Sequence, residues 1–175
     1  PATARAASSS SVAVFSVAAV SLAIPTGVKI INWTLTMWGG KLWFTTAMLF
    51  AIGLIVQFTI GGLSGVTHAV APSDTQQTDT YYIVAHFHYV IFGGAVLGLF
   101  AGIYYWWPKI FGKMLSERIG RWNFWLMIIG MNLTGIIPGL QIASTAVIGL
   151  PLILALVAYV MFVYESAAKP GEVVV

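Results

Sequence analysis

The sequence predicts an all-α, polytopic transmembrane helix bundle of about five helices. Three observations carry that expectation. The chain is 59% apolar and 7% charged, with a mean hydropathy of +0.90, far from the composition of a water-soluble domain. Its apolar residues gather in spans of about 20, the length that crosses a bilayer as a helix. Such spans have to be helical, because a lipid-embedded segment must satisfy its backbone hydrogen bonds internally. All 175 residues read as one transmembrane domain.

The spans fall at 12–33, 43–66, 81–107, 122–137 and 147–164. The first follows "PATARAASSSS", which begins on Pro1 and lacks the basic and then apolar regions of a secretory signal. A fragment or a trimmed chain is therefore expected. "MWGGK" closes the first span and "APSDTQQTD" lies in a long connection, 67–80, between the second and third. "PKIFGKMLSERIGR" separates the third from the fourth, and "PGLQIAS" precedes the fifth. Beyond the Ala/Ser-rich start there is no internal repeat or low-complexity array.

Charge orients the bundle. Lys41, Lys109, Lys113, Arg118, Arg121 and Lys169 lie in the linkers after the first and third spans and in the C-terminal tail. The opposite side holds Arg5, and its long loop carries Asp74 and Asp79. Positive-inside bias then puts the N-terminus outside and the C-terminus in the cytoplasm or matrix. Trp33, Trp43, Trp106, Trp107 and Trp122 sit at span ends, where interfacial aromatic belts form. The net charge of +3 is loop chemistry. No basic stripe interleaved with exposed aromatics is visible, so no nucleic-acid partner is expected. There are no cysteines, which excludes disulfides and thiolate metal sites.

Two histidines raise the functional question. "YYIVAHFHYV" places His86 and His88 two residues apart in a membrane span. Each helical residue advances about 100°, so the two rings point about 200° apart. They are badly placed to share one metal. They are well placed to serve two planar cofactors, one on each side of the helix, with Phe87 between them. Haem iron takes a neutral histidine as axial ligand, and the other ring nitrogen then wants a hydrogen-bond partner. Ala85, Gly93 and Gly94 would leave room for broad macrocycles. The alternative is a pair of histidines that hydrogen-bond between helices. His68, at the end of the second span, reads as an interfacial residue.

Lys29 lies inside the first span, three residues after Thr26 and on the same helical face, with Pro25 positioned to bend the helix. A lysine in an apolar span is costly and is a functional candidate by default. The competing reading is a side chain that snorkels to the inner surface. Asp74 and Asp79 alone would be solvated loop acids.

"AIPTGVKIINW", "FTIGGLSGV" and "TDTYYIVAHFHYV" together resemble the C-terminal part of subunit I of the haem–copper oxidases, in the cytochrome c oxidase branch. The similarity runs from about Ile24 to Leu133, and more loosely through "YVMFVYESA". It implies a place among the final five of twelve helices. It implies that His86 is the axial ligand of a high-spin haem and His88 one axial ligand of a low-spin haem, the haems being of the a type. Thr26 and Lys29 would belong to the proton-input path named after that lysine. Asp74 would lie near haem propionates and Asp79 would help bind magnesium. Where the family commonly has a histidine before that aspartate, this chain has Thr78, a poorer ligand, which counts against the magnesium site.

The resemblance also implies what has to come from elsewhere. Copper needs three histidines and a nearby tyrosine from earlier helices, and the low-spin haem needs a second histidine. The remainder of subunit I, subunit II and other oxidase subunits are therefore the expected partners, with cytochrome c or quinol as electron donor. After "MNLTGIIPG" the family continues into a loop whose arginine pair holds propionates, whereas this chain runs into "LQIASTAVIG". Either that loop is absent or its residues were omitted. The expected activity is reduction of oxygen to water coupled to proton translocation. A bacterial or archaeal plasma membrane is expected ahead of the mitochondrial inner membrane. Three competitors stand beside this reading. A nitric oxide reductase of the same superfamily is opposed by the "IPTGVK" lysine. A cytochrome b-like anchor would space its histidines two turns or more apart on one face. A haem-free assembly subunit would be told apart by the haem spectrum of the purified complex.

Overall fold

The computed structural model describes residues 2–136, and among these all regular structure is helical. The expected fifth span, 147–164, lies outside the described residues. Helices α1 (Ala2–Ser21) and α2 (Ala23–Met37) run on from one another through a turn at Leu22. Together they supply one candidate membrane span, Ser10–Met37. Pro25 sits in the opening turn of α2, where its missing N–H removes only a donor that a helix start leaves unpaired. The break expected near Pro25 is thus three residues earlier, at the turn itself.

Helix α3 (Thr46–Ala69) is the second candidate span. It opens on Thr45, whose hydroxyl accepts from the Met48 N–H. The connection read as a loop at 67–80 is partly helical. Residues 67–69 complete α3, and α4 (Ala71–Gln77) follows at once with a proline in its first turn. Thr80 caps α5 (Tyr81–Val90) by accepting from Tyr82 N–H at 3.3 Å. A π-helical turn, Ile91–Val96, joins α5 to α6 (Leu97–Phe111), and the run Tyr81–Phe111 is the third candidate span. Gly112, left-handed at φ 67°, ends α6. Helix α7 (Glu117–Ile136) contains the described part of the expected fourth span. Glu117, Arg118 and Arg121 in its opening turns set it apart in composition from the three apolar spans.

Helix α3 is the centre of the packing. Fully buried Phe50 stacks on Phe100 and Tyr104 of α6 at 5.4 and 5.6 Å and meets the Phe124 ring of α7 edge-on at 5.3 Å. Lipid removes most of the hydrophobic drive between helices, so close backbone approach and hydrogen bonds matter more. Glycines allow that approach. A Cβ at Gly53 would come within 2.9 Å of the Phe124 ring, and one at Gly120 within 2.6 Å of the Thr46 side chain. Thr46 is itself tied to α7. Its N–H and its hydroxyl both donate to the Glu117 carboxylate at 2.8 Å.

Candidate functional site

The geometry around His86 begins with three residues of α3. Gly61, Ser64 and Gly65 lie on the helical face toward α5, and the His86 ring rests against them. A Cβ at Gly65 would stand 2.9 Å from the His86 Cε1, so only glycine leaves the ring this seat. The His86 Nδ1 lies 2.9 Å from the Gly61 carbonyl oxygen and 3.0 Å from the Ser64 hydroxyl. The Ser64 hydroxyl itself donates to the same carbonyl at 2.8 Å. A carbonyl oxygen can only accept, so the hydrogen bond to Gly61 places the proton on Nδ1. In the neutral ring Nε2 then keeps its lone pair.

His88 reaches the same tautomer by another route. Its Nδ1 donates to the Val84 carbonyl, one turn back on its own helix, at 2.7 Å. Its ring stacks on Phe87 and Phe92, with centroids 4.6 and 5.5 Å away. Every described contact of His88 is with its own helical run, whereas His86 is anchored to α3. The two imidazoles therefore have separate surroundings and separate second-nitrogen partners.

The π-helical turn begins three residues after His88 and turns Gly93 and Gly94 into α3. A Cβ at Gly93 would lie 2.8 Å from the Gln57 Cβ, and one at Gly94 would lie 2.7 Å from the Phe58 ring. This corrects the expectation that these glycines leave space for a macrocycle. They are buried in helix contact instead. A wide turn of this kind often marks a functional position within an α-helix.

His68 was missed as a member of this group. Its ring meets the His86 ring edge-to-face at 5.0 Å and the Tyr82 ring at the same distance. Both of its ring nitrogens are buried, with the Gln77 amide and the Asp74 carboxylate close by. It is therefore not simply an interfacial side chain. The signal was its spacing: Gly61, Gly65 and His68 recur at four and three residues and share one face of α3.

Of the other predicted residues, Asp74 lies close enough to His68 for its charge to act on that ring. Thr26 turns its hydroxyl to the Leu22 carbonyl of its own helix at 3.0 Å, and Lys29 is exposed on α2. Asp74 is half-buried in α4, with its backbone holding the Thr78 N–H at 2.8 Å. Asp79 is exposed, at a left-handed φ of 61°, in the short link to α5. Among the described residues no group of three or more His, Cys, Asp or Glu is placed to hold a metal ion. Haem ligation asks for less than that, since the porphyrin supplies four of the donors.

Residues 3–149 match the family Cytochrome C and Quinol oxidase polypeptide I. The chain belongs to this family. It is 55% identical over 121 residues to the cytochrome c oxidase subunit 1 of Alkalihalophilus pseudofirmus, covering 69% of this chain and 19% of that relative. It is 56% identical over 122 residues to the protein of the same name from Bacillus subtilis, covering 70% and 20%. The quinol oxidase subunit 1 of Bacillus subtilis is 50% identical over 119 residues, covering 68% and 18%. The chain thus spans about a fifth of the length of these relatives. Membership agrees with the motif resemblance and with three helices long and apolar enough to cross a membrane.

Proposed function

We propose that this chain is part of the catalytic subunit of a terminal respiratory oxidase, in which it supplies one axial histidine to each of two haems. One observation carries the reading: His86 and His88 each commit Nδ1–H to a carbonyl, on separate anchors, and so keep Nε2 as a lone-pair donor. An axial histidine needs that tautomer, held by an outer hydrogen bond. The glycine seat under His86 also holds the ring in one orientation, as an axial ligand requires. When bound, the haems supply electron transfer and oxygen binding. This chain's residues orient the rings and set their basicity.

In this reading His86 serves the high-spin haem and His88 the low-spin one, and the haems are of the a type. Copper and the second low-spin ligand depend on other parts of the subunit. His68 is the single further histidine in the chain, too few for a copper site and a second axial ligand. Thr26 and Lys29 contribute to proton delivery from the inner side, and Asp74 lies toward the haem propionates. Asp79 is given no magnesium role. The membrane is a bacterial plasma membrane, consistent with the bacterial relatives, and the donor is cytochrome c or a quinol.

The test uses the purified oxidase complex containing this chain. His88→Ala should remove the low-spin haem absorbance, and His86→Ala should perturb the high-spin, carbon monoxide-binding component. Intact spectra and turnover in both variants would overturn the ligand assignment.

A further inference from the structure

We propose that the inner end of α7 carries a binding site for the headgroup of an anionic phospholipid, formed by Arg118, Arg121, Trp122 and Trp125. These four residues line a groove of about 430 Å³ together with Glu117. The composition alone showed no basic stripe interleaved with aromatics. The helix creates one, because positions 118, 121, 122 and 125 recur at three, four and seven residues and so share one face. The opposite face, with Gly120, Asn123, Phe124 and Met127, is packed into the bundle.

The order of chemistry along this face follows the order of groups in a lipid. The two guanidinium groups come first, where α7 leaves the basic inner linker. The indoles of Trp122 and Trp125 follow Arg118 by about one and two turns, ~6 and ~10 Å deeper along the helix. Both indoles are exposed, at 64% and 52%. Arginine forks hold a phosphate through paired N–H groups. Tryptophan prefers the depth of the glycerol and ester groups, with its N–H toward them and its ring toward the acyl chains. Basic pockets at the inner membrane surface bind anionic headgroups on the same physical grounds.

Glu117 offsets one of the groove's two positive charges and leaves the other uncancelled. Its Oε2 already accepts from the Thr46 N–H and hydroxyl at 2.8 Å each, while the Arg121 Nε stands 3.9 Å away. Arg121 also donates to the Phe44 carbonyl at 3.3 Å, which uses one of its five N–H groups and fixes its direction. Arg118 is exposed and makes no ion pair among the described residues. Its guanidinium is thus open to an anionic group at the depth that the indoles mark.

The experiment takes the intact, detergent-purified oxidase complex after delipidation. Palmitoyl-oleoyl phosphatidylglycerol, phosphatidylcholine with the same chains and inorganic phosphate are titrated separately. Bound lipid is counted by native mass spectrometry, and the thermal unfolding midpoint is followed in parallel. Wild type should bind phosphatidylglycerol and gain stability from it. Arg118→Gln should weaken that binding about fivefold, the effect of one surface cation. Arg118→Lys should keep most of it, and Arg121→Lys, which can still reach the Phe44 carbonyl, should lose the paired phosphate contact in part. Equal binding of phosphatidylcholine would overturn the proposal, as would unchanged phosphatidylglycerol binding in Arg118→Gln. Displacement of the lipid by millimolar phosphate would replace it with a free-anion site. None of these readouts depends on haem ligation by His86 or His88, so the two readings fail separately.

Discussion

Two spans of equal hydropathy behave differently in this chain. Ser10–Met37 and Thr46–Ala69 both have a mean hydropathy of 1.9, yet 0% of the first span's most apolar stretch is buried and 28% of the second's. Within the described residues, the second span meets its neighbours through glycines. Helix α3 presents Gly53, Gly61 and Gly65, and each faces a side chain of another helix within 3.0 Å of where a Cβ would be. Gly27 of α2 has nothing within 4 Å. Hydropathy reports that a segment belongs in lipid. Small residues, and the polar ties beside them, decide which helix it packs against.

The contrast has a functional side. The bare span carries Thr26 and Lys29, and the packed half carries His86 and His88. A lysine in an apolar span is costly to leave toward lipid. If Lys29 belongs to a proton path, its face is covered in the assembled subunit and its loss is felt in turnover. Lys29→Met should then slow oxygen consumption by the complex more than about tenfold, equivalent to at least ~1.4 kcal/mol in barrier, with haem content unchanged. Normal turnover across several pH values would leave Lys29 as a snorkelling side chain and make the bare span merely lipid-facing.

The packed half breaks by crowding. Gly120→Val should destabilise the bundle by about 1–3 kcal/mol, the usual cost of overpacking. Its new methyls would collide with Thr46, which is fully buried and tied to Glu117. The thermal unfolding midpoint of the complex, followed by intrinsic fluorescence, measures this. An unchanged midpoint would show that α3 and α7 can part without loss.

The smallest effect is expected on the other side of the comparison. Gly27→Ala meets open space and removes a helix-interior glycine, so helicity of the chain should hold or improve by about 0.5–1 kcal/mol. The same variant sharpens the contrast when followed through assembly. A fall in the yield of assembled complex, despite intact helicity, would show that another part of the subunit packs on this face.

Much of this protein was legible before its structure. "YYIVAHFHYV" placed two histidines on opposite faces, because helical rotation needs only their spacing. The spans at 12–33, 43–66 and 81–107 were legible because the demand for internal backbone hydrogen bonds acts on each segment alone. Tertiary structure decided the rest. The role of Gly93 and Gly94 depended on whether α3 or open space lay opposite. The approach of His68 to His86 and the tie between Thr46 and Glu117 join residues 18 and 71 positions apart. In lipid nearly every face of a helix is apolar, so periodicity carries little about which face meets which neighbour. Register between helices is set by where glycines admit a partner and where buried polar groups find one another, and those are properties of the packed bundle.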